Sequence, residues 1–234
     1  MPPTTRCGNI FRWHGKHGSS WRQKKVPRRL ISTQDDITEG CAHLARVCPV
    51  WAKVLPQLGK LPLRRRDDGF EAIASAIVGQ QISIAAAGAI WARMQDAGLL
   101  TEAAIRAASD DDLRVAGLSR PKQRYLRGIA EAGLDWSALR DMDDDDAIAR
   151  LVALPGIGIW TAEIYLKFAL GRADVLAAGD LALQEAARIM YDLPARPTPA
   201  VLRKLAEPWQ PWRAVAARGL WAYYRIAKGR EGTL

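Results

Sequence analysis

Leu154-Pro155-Gly156-Ile157-Gly158-Ile159-Trp160-Thr161-Ala162 is the stretch that decides the fold. An apolar, helix-compatible run ends at about Ala153, two glycines follow in a turn, and an apolar run restarts near Gly158. That spacing predicts two helices joined by a tight hairpin over about residues 145–168. Gly156 and Gly158 permit positive φ and let another backbone approach closely. The unpaired N–H groups of the restarted helix, aided by its dipole, suit a phosphate oxygen of a nucleic-acid backbone. Gly156, Gly158 and Thr161 are therefore candidate DNA-binding residues. A glycine-containing helix–turn–helix that binds nothing shows the same local pattern, so the hairpin alone fixes no function.

Outward from the hairpin the pattern stays helical. Upstream, Phe70, Ile73, Ala74 and Ile77 recur at three- and four-residue spacings, and Gly79-Gln80-Gln81 interrupts them, predicting two helices around a polar break. Thr101, Ser109 and Ser119 stand where N-caps belong, with Pro121 in the first turn after Ser119. The acidic run Asp141–Asp146 opens the helix that leads into the hairpin, good placement for the helix dipole. Downstream, helices are expected over 158–170, 180–191, 198–206 and 211–228. No run alternates well enough to be a strand, and the expected fold class is all-α.

Composition bounds the rest. The net charge is +9, yet residues 1–34 hold eight Lys/Arg and no acid, leaving 26 basic and 25 acidic groups in the other 200 residues. A phosphate-gripping surface must therefore come from clusters such as Arg64-Arg65-Arg66 and Arg120, Lys122, Arg124, Arg127, which could equally be solvated faces. Residues 1–33 lack periodicity and read as a basic, disordered extension, and the His14/His17 pair is too loose to argue a metal site. Three cysteines form no CxxC pair, which fits a reducing cytoplasm and argues against a disulfide framework or an iron–sulfur cluster. No apolar run approaches the roughly 20 residues that span a bilayer.

One carboxylate completes the pattern. Asp180, in Ala178-Gly179-Asp180, stands 22 residues after Gly158 and directly before the periodic Leu181, Leu183, Ala186 and Ala187. Alone it reads as a capping residue. Together with LPGIGxWTA it resembles the helix-hairpin-helix (HhH-GPD) DNA glycosylase superfamily, and within that superfamily the 3-methyladenine DNA glycosylase II type. Phe70–Ser83 and Trp209–Trp221 look like further segments of the family, so that the resemblance covers roughly residues 36–228 in order.

The resemblance implies a two-lobed helical fold with the active-site cleft between the lobes and no N-terminal β domain. Residues 34–69 and 171–234 would form one lobe and 70–170 the other. It implies a monomeric enzyme that flips a damaged base out of double-stranded DNA and hydrolyses the glycosidic bond of an alkylated, cationic purine such as 3-methyladenine in base excision repair. Asp180 would be the catalytic carboxylate, stabilising the oxocarbenium-like sugar and placing a water. Trp160 and Trp221, with Tyr165, would form an aromatic substrate pocket for the cationic base, although some relatives carry an aromatic where this chain has Ile164. Lyases of the superfamily place a Schiff-base lysine where this chain has Trp160, so no lyase activity is expected, and Lys167 reads as a solvated side chain. Gln80 and Gln81 would enter the DNA gap, and Ser119 and Lys122 in a second turn would contact backbone. No cofactor is required, while a structural Na+ or K+ would sit on the main-chain oxygens of Val152, Leu154 and Ile157. A non-catalytic hairpin protein that only binds duplex DNA, or a glycosylase for another damaged base, remains the alternative.

Overall fold

The computed structural model describes residues 29–229. Residues 1–28, including the His14/His17 pair, and 230–234 lie outside the described residues. The described residues form twelve α-helices and no strand beyond an isolated bridge between Leu30 and Arg172. In order they are α1 (Gln34–Val47), α2 (Pro49–Leu58), α3 (Phe70–Gly79), α4 (Ile84–Asp96), α5 (Glu102–Ala107), α6 (Asp110–Val115), α7 (Arg120–Glu131), α8 (Asp144–Val152), α9 (Ile159–Phe168), α10 (Leu181–Met190), α11 (Pro199–Leu205) and α12 (Arg213–Lys228). The all-α expectation holds. None of the described helices is long and apolar enough to cross a membrane.

Of the three N-caps read from sequence, two make their capping bond. Thr101 and Ser109 accept the N–H groups of Ala104 and Asp112, and Asp112 returns the bond to Ser109. Each such cap contributes on the order of 1 kcal/mol to a short helix that could not stand alone. Pro49 opens α2 as its first residue, where its missing N–H is no loss.

Two apolar cores organise the molecule. One gathers α1, α2, α10 and α12 around Trp51, Trp209, Trp212 and Leu220. The other gathers α3, α7 and α8 around Ile73, Ile77, Leu126, Ile129 and Leu151. Helix α9 runs between them and serves both. It turns Ile164 and Phe168 to the first core and Ala162, Tyr165 and Leu166 to the second. Every residue from Thr161 to Phe168 is buried, Glu163 and Lys167 included, so this part of α9 has no solvated face.

The expectation of a disordered extension through residue 33 is corrected at its last five residues. Ile31 is fully buried in the first core, and its N–H donates to the Gly171 carbonyl at 2.7 Å. Ala173 N–H donates to the Arg29 carbonyl, and the Arg29 guanidinium lies 4.4 Å from the Trp212 ring centroid. Thr33 caps α1 in a reciprocal capping box with Asp36. A lone buried isoleucine in a basic, aperiodic run leaves too little pattern to detect.

Candidate active site

Gly156 has φ +78, and a β-carbon there would lie 2.5 Å from the Tyr125 ring. Glycine is thus demanded twice, by conformation and by space. Gly158 differs from the expectation. Its φ is −93, open to any residue, and nothing in the protein lies within 4 Å of its would-be β-carbon. The room kept at Gly158 faces outward, as it would for a bound backbone. Gly158 is the N-cap of α9 and offers no side-chain cap, so the first N–H groups of the helix stay available to an external acceptor. Thr161 is only 4% exposed, which leaves its hydroxyl little access to a phosphate.

Three segments far apart in sequence meet at this turn. Gln80 donates from Nε2 to the Gly156 carbonyl at 3.1 Å, tying the break after α3 to the hairpin. Lys122, in the first turn of α7, donates from Nζ to the Val78 carbonyl at 2.6 Å, tying that helix to the end of α3, and the partial burial of its amine lowers its pKa. Both side chains expected to touch DNA therefore hold the platform together. Gln81 is exposed with φ +60, a left-handed conformation that glutamine adopts at a cost of about 1 kcal/mol. Ser119 is exposed at the N-cap of α7 and makes no capping bond, leaving its hydroxyl free for another acceptor or donor.

The basic clusters divide. Arg120 and Arg124 are exposed on α7, whose Tyr125 packs under Gly156. Arg127 instead binds the Ile105 and Ala108 carbonyls and pairs with Asp110. The Arg64–Arg66 run lies at the other end of α9, where Arg66 N–H donates to the Phe168 carbonyl. That is about 15 Å from the hairpin along a ten-residue helix.

Asp180 caps α10 and is 5% exposed. Its Oδ1 accepts the N–H groups of Ala182 and Leu183 at 2.9 and 3.1 Å, and its Oδ2 accepts Trp160 Nε1 at 3.1 Å. Three donors and no acceptor surround it, a setting for a carboxylate acting as a fixed negative charge. Gln184 clips the turn behind it by donating to the Ala178 carbonyl at 2.8 Å. The sequence reading missed Gln184 because an amide one turn into an amphipathic helix looks solvated.

The three aromatics expected to line one pocket take different places. Trp160 is half-buried and bonded to Asp180. Trp221 is 4% exposed, with its ring stacked on Phe168 at 5.9 Å between centroids and a 23° interplanar angle. Tyr165 is elsewhere. One residue past Ile164 it turns into the other core, packs near Trp136, and its hydroxyl accepts the Gly69 N–H at 2.9 Å. Burial there pushes its phenol up to about 12. Tyr165 is therefore corrected from pocket aromatic to structural residue of the second core, and Ile164 and Phe168 hold the face it was expected to share.

Lys167 overturns a second expectation. Far from solvated, it is fully buried, with Nζ 4.4 Å from the Trp221 ring centroid and no hydrogen-bond partner. Burial, reinforced by repulsion from Arg218, pushes its amine down to about 7 against the pull of Asp180 and Glu163. Glu163, one turn earlier, is also buried and pairs with Arg203 at 2.5 Å, yet desolvation still raises its pKa. In sequence, Glu163 and Lys167 look like an exposed i,i+4 pair. The unbroken apolar residues around them were the available sign of burial.

The HhH-GPD superfamily of base excision DNA repair proteins matches residues 74–211, which include the break, the hairpin and Asp180. The chain belongs to this superfamily. DNA-3-methyladenine glycosylase 1 of Schizosaccharomyces pombe is 29% identical over 203 residues, covering 82% of this chain and 89% of that one. The solved structure of that glycosylase in complex with abasic DNA superposes with a TM-score of 0.70 over 84% of this chain and all of that chain. A DNA-3-methyladenine glycosidase from Bacillus halodurans, 30% identical, superposes with a TM-score of 0.72, covering 88% and 97% of the two chains. This HhH-GPD protein thus has the superfamily's fold across nearly all of its described residues.

Proposed function

We propose that this HhH-GPD protein is a monofunctional DNA glycosylase of the 3-methyladenine DNA glycosylase II type. It would act as a monomer on double-stranded DNA and hydrolyse the N-glycosidic bond of alkylated, cationic purines. The observation that carries the reading is the buried Asp180 carboxylate, locked by two backbone N–H groups and by Trp160 beside a hairpin able to take a phosphate. A base alkylated at N3 or N7 is already a cationic leaving group and needs little protonation. The protein's task is then to stabilise positive charge at the sugar and orient a water, which one fixed carboxylate does. The relatives' names point to the same substrate class.

The hairpin would anchor the strand through the first N–H groups of α9, Arg120 and Arg124 would neutralise neighbouring phosphates, and Gln81 would enter the space left by the flipped nucleotide. A monovalent cation would fit among the carbonyls of Val152, Leu154 and Ile157. Leu154 O receives only a long 3.3 Å bond from Ile157 N–H, so its second lone pair suits a weakly held ion. Such an ion would stiffen the turn, and the chemistry would not pass through it.

One observation favours a second reading. The Lys167 amine, pushed down to about 7, is partly unprotonated near neutral pH and so chemically able to act as a Schiff-base nucleophile. Strand cleavage would then accompany base release. Incubation with methylated duplex DNA, with released bases identified by mass and strand breaks scored before and after hot alkali, tests both readings. Free alkylpurines with breaks only after alkali support the first. Absence of any released purine would sink it.

A further inference from the structure

Four arginines from three segments meet at the end of α9 remote from the hairpin. Arg65 and Arg66 belong to the link between α2 and α3, Arg140 to the segment ahead of α8, and Arg172 to the turn after α9. With Leu30 and the carboxylates of Asp67 and Asp68 they line a cavity of about 260 Å3, many times the space that one water needs. Two of the arginines are committed to the protein. Arg140 forms a bidentate pair with Asp68, through Nε at 2.5 Å and Nη2 at 2.7 Å. Arg172 is buried, with Nη2 donating to the carbonyls of Leu139, Arg140 and Met142 and Nε 3.4 Å from Asp144. Arg65 and Arg66 differ. Among the described residues neither guanidinium makes a hydrogen bond or an ion pair, although Asp67 is next in the chain. Arg65 is nevertheless held in place, because its guanidinium lies against Gly171, where a β-carbon would collide with it and with the Ile31 carbonyl. Counting Asp144, four guanidiniums stand against three carboxylates, so the cavity keeps a positive excess.

We propose that this cavity is a binding site for a small phosphate dianion, inorganic phosphate or a phosphate monoester, held by the guanidiniums of Arg65 and Arg66. Planar guanidinium forks match phosphate oxygens, and two of them can donate to one tetrahedral dianion from different directions. The buried charge of Arg172 adds a positive field that water screens poorly. The site is distinct from the hairpin, whose proposed phosphate lies at the opposite end of α9, about 15 Å away. Its walls adjoin residues of both cores, Ile31 and Leu61 of the first and Leu139 and Leu170 of the second. A bound dianion therefore ties the two cores together, and the stability of the fold reports its occupancy.

Thermal melts in rising inorganic phosphate test the site, at about pH 8 where phosphate is mostly a dianion. Chloride holds the ionic strength constant. The wild type should show a saturable rise in Tm, about 3–6 °C at ten times the dissociation constant. A general salting effect instead climbs without saturating and is common to every variant. Arg65 and Arg66 are exposed, so their replacement leaves the fold intact, and melts in chloride alone record this. Arg65→Gln/Arg66→Gln should lose the saturable rise. Arg65→Lys/Arg66→Lys, which keeps the charge without the forks, should need several-fold more phosphate. Gly158→Ala, at the hairpin, should respond as the wild type does, and the Gln pair should bind duplex DNA within a fewfold of wild type. A wild type without a saturable rise, a Gln pair that keeps it, or a Lys pair identical to wild type overturns the site. Loss of the rise in Gly158→Ala would move the phosphate to the hairpin, and a large loss of duplex affinity in the Gln pair would put these arginines on the DNA path. Either result overturns the proposal as well.

Discussion

Lys167→Met is expected to stabilise the fold at neutral pH, and to do so less as pH rises. The folded-state pKa of about 7 lies below the ordinary lysine value of 10.5, because burial outweighs the attraction of Asp180, Glu163 and the Trp221 ring. Between those values the unfolded chain binds a proton that the folded chain does not, so wild-type stability increases with pH across the window. Each unit is worth about 1.4 kcal/mol, and pH 7 is itself the half-way point of the folded titration. The gain from this group between pH 7 and about pH 9.5 is therefore about 3 kcal/mol. For a chain of this size that corresponds to a shift of about 6–12 °C in Tm. Methionine has no proton to lose and a similar length, so the variant lacks this term. Urea melts of both proteins at pH 7 and near pH 9.5 make the comparison, with other alkaline titrations cancelling in the difference. The Met variant should be the more stable at pH 7, with the gap narrowing by about 3 kcal/mol at the higher pH. Parallel pH dependences would show that Lys167 is not desolvated.

Other substitutions separate binding from folding. Gly156→Ala meets both the positive φ and the Tyr125 ring and should destabilise the protein by about 1–3 kcal/mol. Gly158→Ala should lower stability by about 1 kcal/mol or less. It should nevertheless weaken duplex binding several-fold in a fluorescence-anisotropy titration, because its methyl enters the open space beside the first N–H groups of α9, where the phosphate is proposed to bind. Removal of residues 1–28 should leave Tm unchanged and flatten the salt dependence of non-specific DNA binding. Removal of residues 1–33 takes away Ile31 and the Thr33 cap as well, and should cost about 3–4 kcal/mol. Borohydride should trap no covalent protein–DNA adduct during turnover. An adduct that forms and then disappears in Lys167→Met would establish the lyase reading.

Much of this was legible in the sequence because helical periodicity, N-caps and a glycine hairpin are local signals. The α3 break, the α8–α9 hairpin and the Asp180 cap each follow from a few adjacent residues. What escaped depends on contacts between distant segments. A one-residue rotation sends Tyr165 into the second core and leaves Ile164 facing the first, and spacing could warn of that without deciding it. Glu163 and Lys167 have an exposed-pair spacing and become buried only because two cores close on α9. Gln80 and Lys122 have the polar chemistry expected at a DNA surface, yet their bonds go to Gly156 and Val78. Ile31 belongs to a core whose other members begin at residue 37.

The central claim is that Asp180 performs the chemistry, and Asp180→Asn tests it most directly. The amide keeps an oxygen that can accept the Ala182 and Leu183 N–H groups, so the cap should survive with a small loss of stability that a thermal melt records. The negative charge beside the sugar is gone. Released bases are quantified by mass from methylated duplex DNA, alongside a binding titration on the same duplex. The account predicts alkylpurine release by the wild type and none above the spontaneous rate by Asp180→Asn, with duplex affinity unchanged within a fewfold. Near-wild-type release by a folded Asp180→Asn protein would contradict it.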